Sequence, residues 1–201
     1  MRRGRGGSPV PLVEVTACGW WALELGLVVR DRARGMGGTG RDQGTRILIF
    51  VVILVAVVMA ATVASILAPH TWLRFARGHP AHGHIWLDLA VLWTGLVVRL
   101  WAIAALGRSF RTTVEVDAGQ AVVDRGPYHR IRHPAYTGAL LLCLGIGLAL
   151  GDWISLAIMM GLPLCALLRR IAVEERELVH VLGEPYRVYQ ARTKRLIPFL
   201  W

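Results

Sequence analysis

The chain has 201 residues, enough for one domain or one small helical bundle, and 55% of them are hydrophobic. That share and a positive mean hydropathy exclude an ordinary soluble domain and indicate a membrane protein. The formal net charge is +10. It does not indicate nucleic-acid binding, because the basic residues lie between apolar runs and form no amphipathic recognition element. Of the 23 basic residues only Lys194 is a lysine, a bias that predicts a GC-rich bacterial genome.

Five apolar segments are predicted to be transmembrane helices, since crossing a bilayer core about 30 Å thick takes roughly 20 residues at 1.5 Å each. The apolar stretch 135–168 is too long for one span, and the Gly-Asp pair at 151–152 is a turn signal. We therefore predict a helical hairpin there, and an all-α integral membrane protein with about five transmembrane helices and further cytosolic helices. The predicted spans are 10–29, 47–68, 85–106, 135–150 and 153–168.

The distribution of basic residues predicts the orientation. Five spans place the loops 30–46 and 107–134 and the tail 169–201 on one side, with 17 Arg and Lys residues against 5 on the other. By the positive-inside rule, this side and the C-terminus face the cytosol, in a bacterial plasma membrane. Because the hairpin leaves and returns to the same face, "RIRHP" (130–134) and "RRIAVEERE" (169–177) should lie close together at the cytosolic membrane surface.

Both motifs contain residue patterns that suit a binding site. Pro134 disfavours helical backbone at His133 and can itself begin a helix, whose exposed amides suit an anion. Arg170 and Glu174 are four residues apart and so share one helix face. Next to lipid, they are either an exposed ion pair or part of a site.

Of the four charged residues inside the predicted spans (Glu14, Glu24, Asp88 and Arg99), Glu24 and Arg99 lie deepest, about 8 and 10 Å from the cytosolic ends of the first and third spans. A charged side chain at the centre of a bilayer costs about 3 kcal/mol or more, so each of them needs a partner. We predict a Glu24–Arg99 ion pair, with either a structural role or a place in the lining of a pocket.

No metal site is expected. The histidine-rich "HPAHGH" at 79–84 lies in the loop predicted to be extracellular, with no carboxylate or thiol beside it. His129 and His133 are four residues apart, a spacing that suits a metal only on a regular helix, which Pro134 opposes.

The stretch "GPYHRIRHPAYTG", followed after the hairpin by "RIAVEERELVHVLGEPYRVYQARTKRLIP", resembles the isoprenylcysteine carboxyl methyltransferase family. These are integral-membrane enzymes that use S-adenosylmethionine, and the resemblance covers roughly residues 95–198. It implies a cofactor pocket in the C-terminal part of the chain. The expected organisation is an N-terminal arm (1–9), three transmembrane helices (10–106) and a catalytic region (107–201) that contains the hairpin and the cytosolic tail.

The resemblance also implies roles for individual residues. Arg170 would be the catalytic residue that binds the substrate carboxylate, and Glu174 would bind the methionine ammonium of the cofactor. Two positions depart from the eukaryotic members, which have glutamine at Thr113 and histidine at Gln120. The implied cofactor contacts are Gln120, Ala121, Val122, Val123, Tyr128, His133, Pro134, Ala135, Tyr136 and Glu174.

The function implied is transfer of a methyl group from S-adenosylmethionine to the carboxylate of a lipid-like, isoprenylcysteine-type acceptor. The expected partners are that lipid-like or prenylated substrate and membrane lipids. A carboxylate is ionised at pH 7 and needs no general base, whereas a thiol or a phospholipid amine needs one, for which His129 or His133 could serve. Methylation of such an amine or thiol, a membrane NADPH-dependent reductase and a non-catalytic membrane scaffold remain as alternatives.

Overall fold

A computed structural model of the chain describes a helical bundle, which confirms the predicted all-α class. The described residues are 10–33, 45–67, 85–107 and 122–198. The helices are α1 (Val10–Ala33), α2 (Thr45–Leu67), α3 (Ile85–Leu106), α4 (Pro134–Leu150), α5 (Trp153–Leu182) and α6 (Glu184–Arg192). A 3-10 turn, Gly126–His129, precedes α4. The predicted N-terminal arm at 1–9 and the histidine-rich loop at 79–84 lie outside the described residues.

Four of these helices, α1, α2, α3 and α5, are long and apolar enough to cross a membrane. α4 is a shorter apolar helix of 17 residues, about 25 Å long. Large hydrophobic side chains are exposed along the long helices, as expected of surfaces in contact with lipid. α5 has 30 residues and continues well past the predicted end of the hairpin at residue 168, so the apolar arm and the charged segment after it form one helix.

The hairpin forms where the sequence predicts it. Gly151 has φ +78°, a left-handed conformation that favours glycine and ends α4. Asp152 caps the N-terminus of α5, where its Oδ1 accepts a hydrogen bond from the backbone N of Ser155 at 2.7 Å. The Ser155 hydroxyl donates to the carbonyl of Ala60 at 2.9 Å and so joins the turn to α2.

α3 and α4 pack with their backbones in near contact, because glycines occupy the interface. A Cβ atom added at Gly138 would lie 2.7 Å from the backbone N of Arg99, and one added at Gly95 would lie 2.7 Å from the backbone N of Leu142. Small residues allow this close approach of helices in membranes. The consequence is that Arg99 lies directly beside the first turns of α4.

Candidate active site

The N-terminus of α4 is built as the His-Pro pair predicts. Pro134 is the first helical residue, and His133 precedes it with φ −123° and ψ 54°. The His133 carbonyl accepts hydrogen bonds from the backbone N of Tyr136 at 3.0 Å and of Thr137 at 3.1 Å. The rings of His133 and Tyr136 stack with centroids 5.5 Å apart and planes inclined by 11°. His133 and Pro134 are both buried, so the stacked rings at this end of the helix are held in place by packing.

Three polar side chains meet here, two from "RRIAVEERE" and one that follows "RIRHP" by two residues, and within the motifs Arg132 binds Glu175. The Tyr136 hydroxyl donates a hydrogen bond to Glu174 Oε2 at 2.7 Å and accepts one from Arg170 Nε at 3.1 Å. Arg170 is buried and Glu174 half-buried. The prediction that "RIRHP" and "RRIAVEERE" lie close together is thereby confirmed. Arg170 is about 26 Å along α5 from its first residue, which places the cluster one bilayer thickness from the hairpin turn.

Tyr128 lies near the cluster of Tyr136, Arg170 and Glu174. Its side chain is buried and packs with Ala102 and Ala135. Burial, reinforced by the negative charge of Glu174, raises the pKa of the Tyr128 phenol well above its usual range, so this hydroxyl stays neutral and can donate. The backbone carbonyl of Tyr128 accepts a hydrogen bond from the Tyr189 hydroxyl at 2.7 Å, which joins α6 to the site.

The remaining predicted cofactor contacts precede the 3-10 turn. Val122 and Val123 are half-buried and non-helical. Gln120 and Ala121 lie outside the described residues, as does Thr113. The structure thus brings together Tyr128, His133, Pro134, Ala135, Tyr136, Arg170 and Glu174.

Glu175 is a second acidic centre that the sequence analysis missed. Its Oε1 accepts from Arg132 Nε at 2.8 Å and lies 3.4 Å from His133 Nε2, and its Oε2 accepts from Arg195 Nε at 3.2 Å. The signal was the adjacent pair Glu174-Glu175, because consecutive helical residues point about 100° apart and so reach different partners.

The C-terminal tail is bound alongside the residues that lead into α4. Arg132 N donates to the carbonyl of Lys194 at 2.7 Å, and His133 N donates to the carbonyl of Arg195 at 3.0 Å. The Thr137 hydroxyl donates to the carbonyl of Leu196 at 2.7 Å. Backbone groups of the tail therefore hold His133 in place from one side, while Glu175 holds its ring.

The predicted pair of charges inside the helices is confirmed. Arg99 binds Glu24 through two nitrogens, with Nη2 2.8 Å from Oε2. Trp20 Nε1 donates to Glu24 Oε1 at 2.8 Å. The third nitrogen, Arg99 Nη1, donates to the backbone carbonyl of Ala135 at 2.8 Å. The pair therefore reaches the first turn of α4.

His129 and His133, whose spacing would suit a metal only on a regular helix, have separate partners. His129 is exposed, and its Nδ1 lies 3.2 Å from Asp124 Oδ1. His133 is buried and faces Glu175 instead. The two imidazole rings therefore bind different carboxylates, one at the surface and one in the interior.

The chain is similar to known proteins in sequence and in fold. Residues 86–180 match the model of the isoprenylcysteine carboxyl methyltransferase (ICMT) family. Protein-S-isoprenylcysteine O-methyltransferase B of Arabidopsis thaliana is 29% identical over 122 residues, 58% of this chain and 62% of that protein. Protein-S-isoprenylcysteine O-methyltransferase of Schizosaccharomyces pombe is 30% identical over 115 residues, 56% of this chain and 48% of that protein. The solved structure of the eukaryotic intramembrane Ras methyltransferase ICMT is similar with a TM-score of 0.59 and 24% identity, over 75% of this chain and 52% of that one.

The chain thus spans about half to three fifths of the length of these relatives. The matched segment contains α4, Arg170 and Glu174, and it ends before α6 and the tail. The structural similarity shows the same membrane-helix fold. The resemblance seen in the sequence is therefore confirmed: residues 86–180 are similar to the isoprenylcysteine carboxyl methyltransferase family.

Proposed function

We propose that this protein is an integral-membrane, S-adenosylmethionine-dependent O-methyltransferase whose acceptor is the carboxylate of a lipid-like, isoprenylcysteine-type molecule. The observation that carries the proposal is the Tyr136 hydroxyl bound to both Arg170 and Glu174 at the start of an apolar hairpin. The family relationship supports the type of reaction, since the relatives named above are isoprenylcysteine O-methyltransferases.

The chemistry of the clustered residues fits the cofactor. Glu174 offers a half-buried carboxylate to an ammonium group, and the stacked rings of His133 and Tyr136 offer a flat aromatic surface to an adenine or a sulfonium. When bound, S-adenosylmethionine supplies an electrophilic methyl group on its sulfonium. Glu174 would hold the cofactor ammonium, while backbone and side-chain groups of Tyr128 and 133–136 would hold the rest.

The same cluster can orient a carboxylate acceptor. An acceptor carboxylate is ionised at pH 7, so the protein has to desolvate it and align it rather than remove a proton. Arg170 is only 3% exposed, and its Nε is fixed by the Tyr136 hydroxyl, which orients the planar guanidinium. A guanidinium in that setting binds a carboxylate strongly and with defined geometry. The His133 Nε2 already faces Glu175, an arrangement that suits a fixed ring better than a general base.

The site would lie at the cytosolic surface of a plasma membrane. This position follows from the excess of basic residues on the side that carries the α5–α6 junction and the tail. A lipid-like acceptor could then keep its chain in the bilayer while its carboxylate reaches Arg170.

The test uses the full chain in lipid nanodiscs with methyl-tritiated S-adenosylmethionine and a farnesylated cysteine that carries a free carboxylate. We expect label to enter the lipid extract as an alkali-labile methyl ester, because only an ester releases methanol in base. The same compound with an amidated carboxyl group is the matched control and should remain unlabelled. Alkali-stable label would instead indicate an amine or thiol acceptor.

Two variants link the reaction to the cluster. Glu174→Gln keeps the shape of the side chain but removes its charge, and we expect binding of S-adenosylmethionine to weaken about tenfold or more. Glu184→Gln changes a glutamate whose side chain is 74% exposed and should bind as the unaltered protein does. A protein that binds NADPH and fails to bind S-adenosylmethionine would be a reductase, and the proposal would be wrong.

A further inference from the structure

The Glu24–Arg99 pair joins the site to a helix that lies outside the family match. The matched segment begins at residue 86, whereas Glu24 is in α1 (Val10–Ala33). Both side chains are largely shielded, with 10% of the Arg99 side chain and 16% of the Glu24 side chain exposed. In a membrane such charges require each other, but mutual neutralisation uses only part of the Arg99 guanidinium.

The rest of the guanidinium is directed at the site. Arg99 Nε and Nη2 bind Glu24, while Nη1 donates to the carbonyl of Ala135 at 2.8 Å. Ala135 lies in the first turn of α4, between Pro134 and Tyr136. A planar guanidinium has fixed donor directions, so the orientation imposed by Glu24 determines where Nη1 points.

Two further observations place Arg99 next to the residues predicted to contact the cofactor. The near contact of Gly138 with the Arg99 backbone shows that α3 and α4 approach closely at Arg99, so its side chain emerges directly beside the first turns of α4. The Arg99 charge also acts on Tyr128: burial raises the pKa of that phenol, and the guanidinium partly opposes the rise. Arg99 therefore contacts Ala135 and lies near enough to Tyr128 for its charge to act on that phenol, and both are residues predicted to contact the cofactor.

We infer that Glu24 and Arg99 are positioning residues for the cofactor site, and that α1 is part of the machinery that shapes it. Glu24 orients the guanidinium, and Arg99 Nη1 fixes the first turn of α4 and with it the rings of His133 and Tyr136. The inference rests on the proposed function, because it concerns the affinity of this site for S-adenosylmethionine. The competing explanation is that the pair merely holds α1 against α3.

A charge exchange separates the two explanations. The double variant Glu24→Arg with Arg99→Glu restores an ion pair between α1 and α3, but a carboxylate at position 99 cannot donate to the Ala135 carbonyl. If the pair is a positioning device, the variant should melt near the temperature of the unaltered protein yet bind S-adenosylmethionine about tenfold more weakly. A merely structural pair predicts recovery of both properties together.

A neutral double variant gives an independent answer. Glu24→Gln keeps an acceptor for Trp20 Nε1, and Arg99→Met fills similar volume without charge. Replacement of a buried ion pair by uncharged groups is often neutral for stability. We again expect a stable protein with about tenfold weaker cofactor binding, seen as a raised KM for S-adenosylmethionine with a smaller change in kcat.

If neither double variant folds, Arg99→Lys can test the inference instead, because it keeps the positive charge that Glu24 requires. A single ammonium does not reproduce the three directed contacts of Arg99, so affinity should fall while the melting temperature stays close to normal. Unaltered affinity in any folded variant that lacks the contact with Ala135 would overturn the inference. Failure of the unaltered protein to bind S-adenosylmethionine would instead overturn the proposed function, and this inference with it.

Discussion

At the scale of single residues, the Tyr136 hydroxyl is the atom that joins the two motifs. It donates to Glu174 and accepts from Arg170, so it uses its donor and one acceptor position at once. Its ring meanwhile stacks on His133. One phenol thus fixes the positions of the Glu174 carboxylate and the Arg170 guanidinium. It holds the two charges apart, so a ligand with both an ammonium and a carboxylate could bind to both.

Tyr136→Phe tests this role. The variant keeps the ring and its stacking but loses both hydrogen bonds, so Arg170 and Glu174 are no longer held in register. We expect affinity for S-adenosylmethionine to fall about tenfold, measured by isothermal titration calorimetry in detergent. Thr94→Val removes a hydroxyl from the exposed side of α3, where it bonds only to the Ala90 carbonyl among described residues, and is the control. Equal affinities for the two variants would contradict the bridging role.

The sequence could predict part of this cluster. The spacing of Arg170 and Glu174 places them on one helix face whatever the fold, and Pro134 had to start a helix. The hydroxyl between the two charges could not be predicted, because it depends on the rotation of α4 against α5. Glu175 was missed for a similar reason: its partners Arg132 and Arg195 come from segments without periodicity.

At the scale of helices, the glycines of α3 and α4 set the distance between the two halves of the site. Gly138→Ala introduces a Cβ 2.7 Å from the Arg99 backbone N and equally close to the Gly95 carbonyl, and backbone atoms cannot move aside cheaply. We expect a loss of about 1–3 kcal/mol, seen as a lower melting temperature in detergent. Gly161→Ala in α5 meets nothing within 4 Å and should be neutral or stabilising. Equal melting temperatures would show that the two helices are not packed as described.

The bound tail is a second feature at this scale. Arg132 makes an ion pair with Glu175 and also donates through Nη1 to the Gln190 carbonyl at 3.0 Å. Arg132→Met should therefore release the tail, with about 3 kcal/mol lost as a buried pair is broken. Trypsin should then cut near Lys194 faster than in the unaltered protein. Arg130→Met alters an exposed side chain two residues earlier and should leave the cleavage rate unchanged.

Helices and tail differ in what a sequence can predict about them. The hairpin and its Gly-Asp turn could be located because apolar length and turn residues are local properties. The binding of the tail beside 130–133 rests on a few backbone hydrogen bonds, which leave no pattern in either segment. Their pairing is a tertiary consequence of Arg132 and Glu175, so it became visible only with the fold.

At the scale of the whole molecule, the charges and the helix lengths require the site to lie at a membrane boundary. α5 is about 45 Å long, more than a bilayer core about 30 Å thick, so its charged end projects beyond the apolar region. Glu24 and Arg99 are the charges described inside the apolar bundle near this end, and they neutralise each other. The proposed lipid-like acceptor could reach such a site from the bilayer, and the proposed cofactor could reach it from the aqueous side.

The predicted orientation of the bundle in the membrane can be tested with single cysteines. In a variant with Cys18, Cys143 and Cys165 replaced by alanine, one new cysteine is placed at Trp153, 59% exposed at the hairpin turn, or at Glu184, at the start of α6. A maleimide that cannot cross membranes should label Trp153→Cys in intact cells, and Glu184→Cys only after permeabilisation.

The physical reason is that basic residues are retained on the cytosolic side and α5 spans the bilayer between these two positions. The unsubstituted triple-alanine variant measures background labelling, and a broken-cell sample shows that both sites react when reached. Labelling of both positions from one face would mean that α4 and α5 do not cross the membrane. Labelling of Glu184→Cys alone in intact cells would mean that the bundle is inverted, with Arg170 and Glu174 facing away from the cytosolic supply of S-adenosylmethionine.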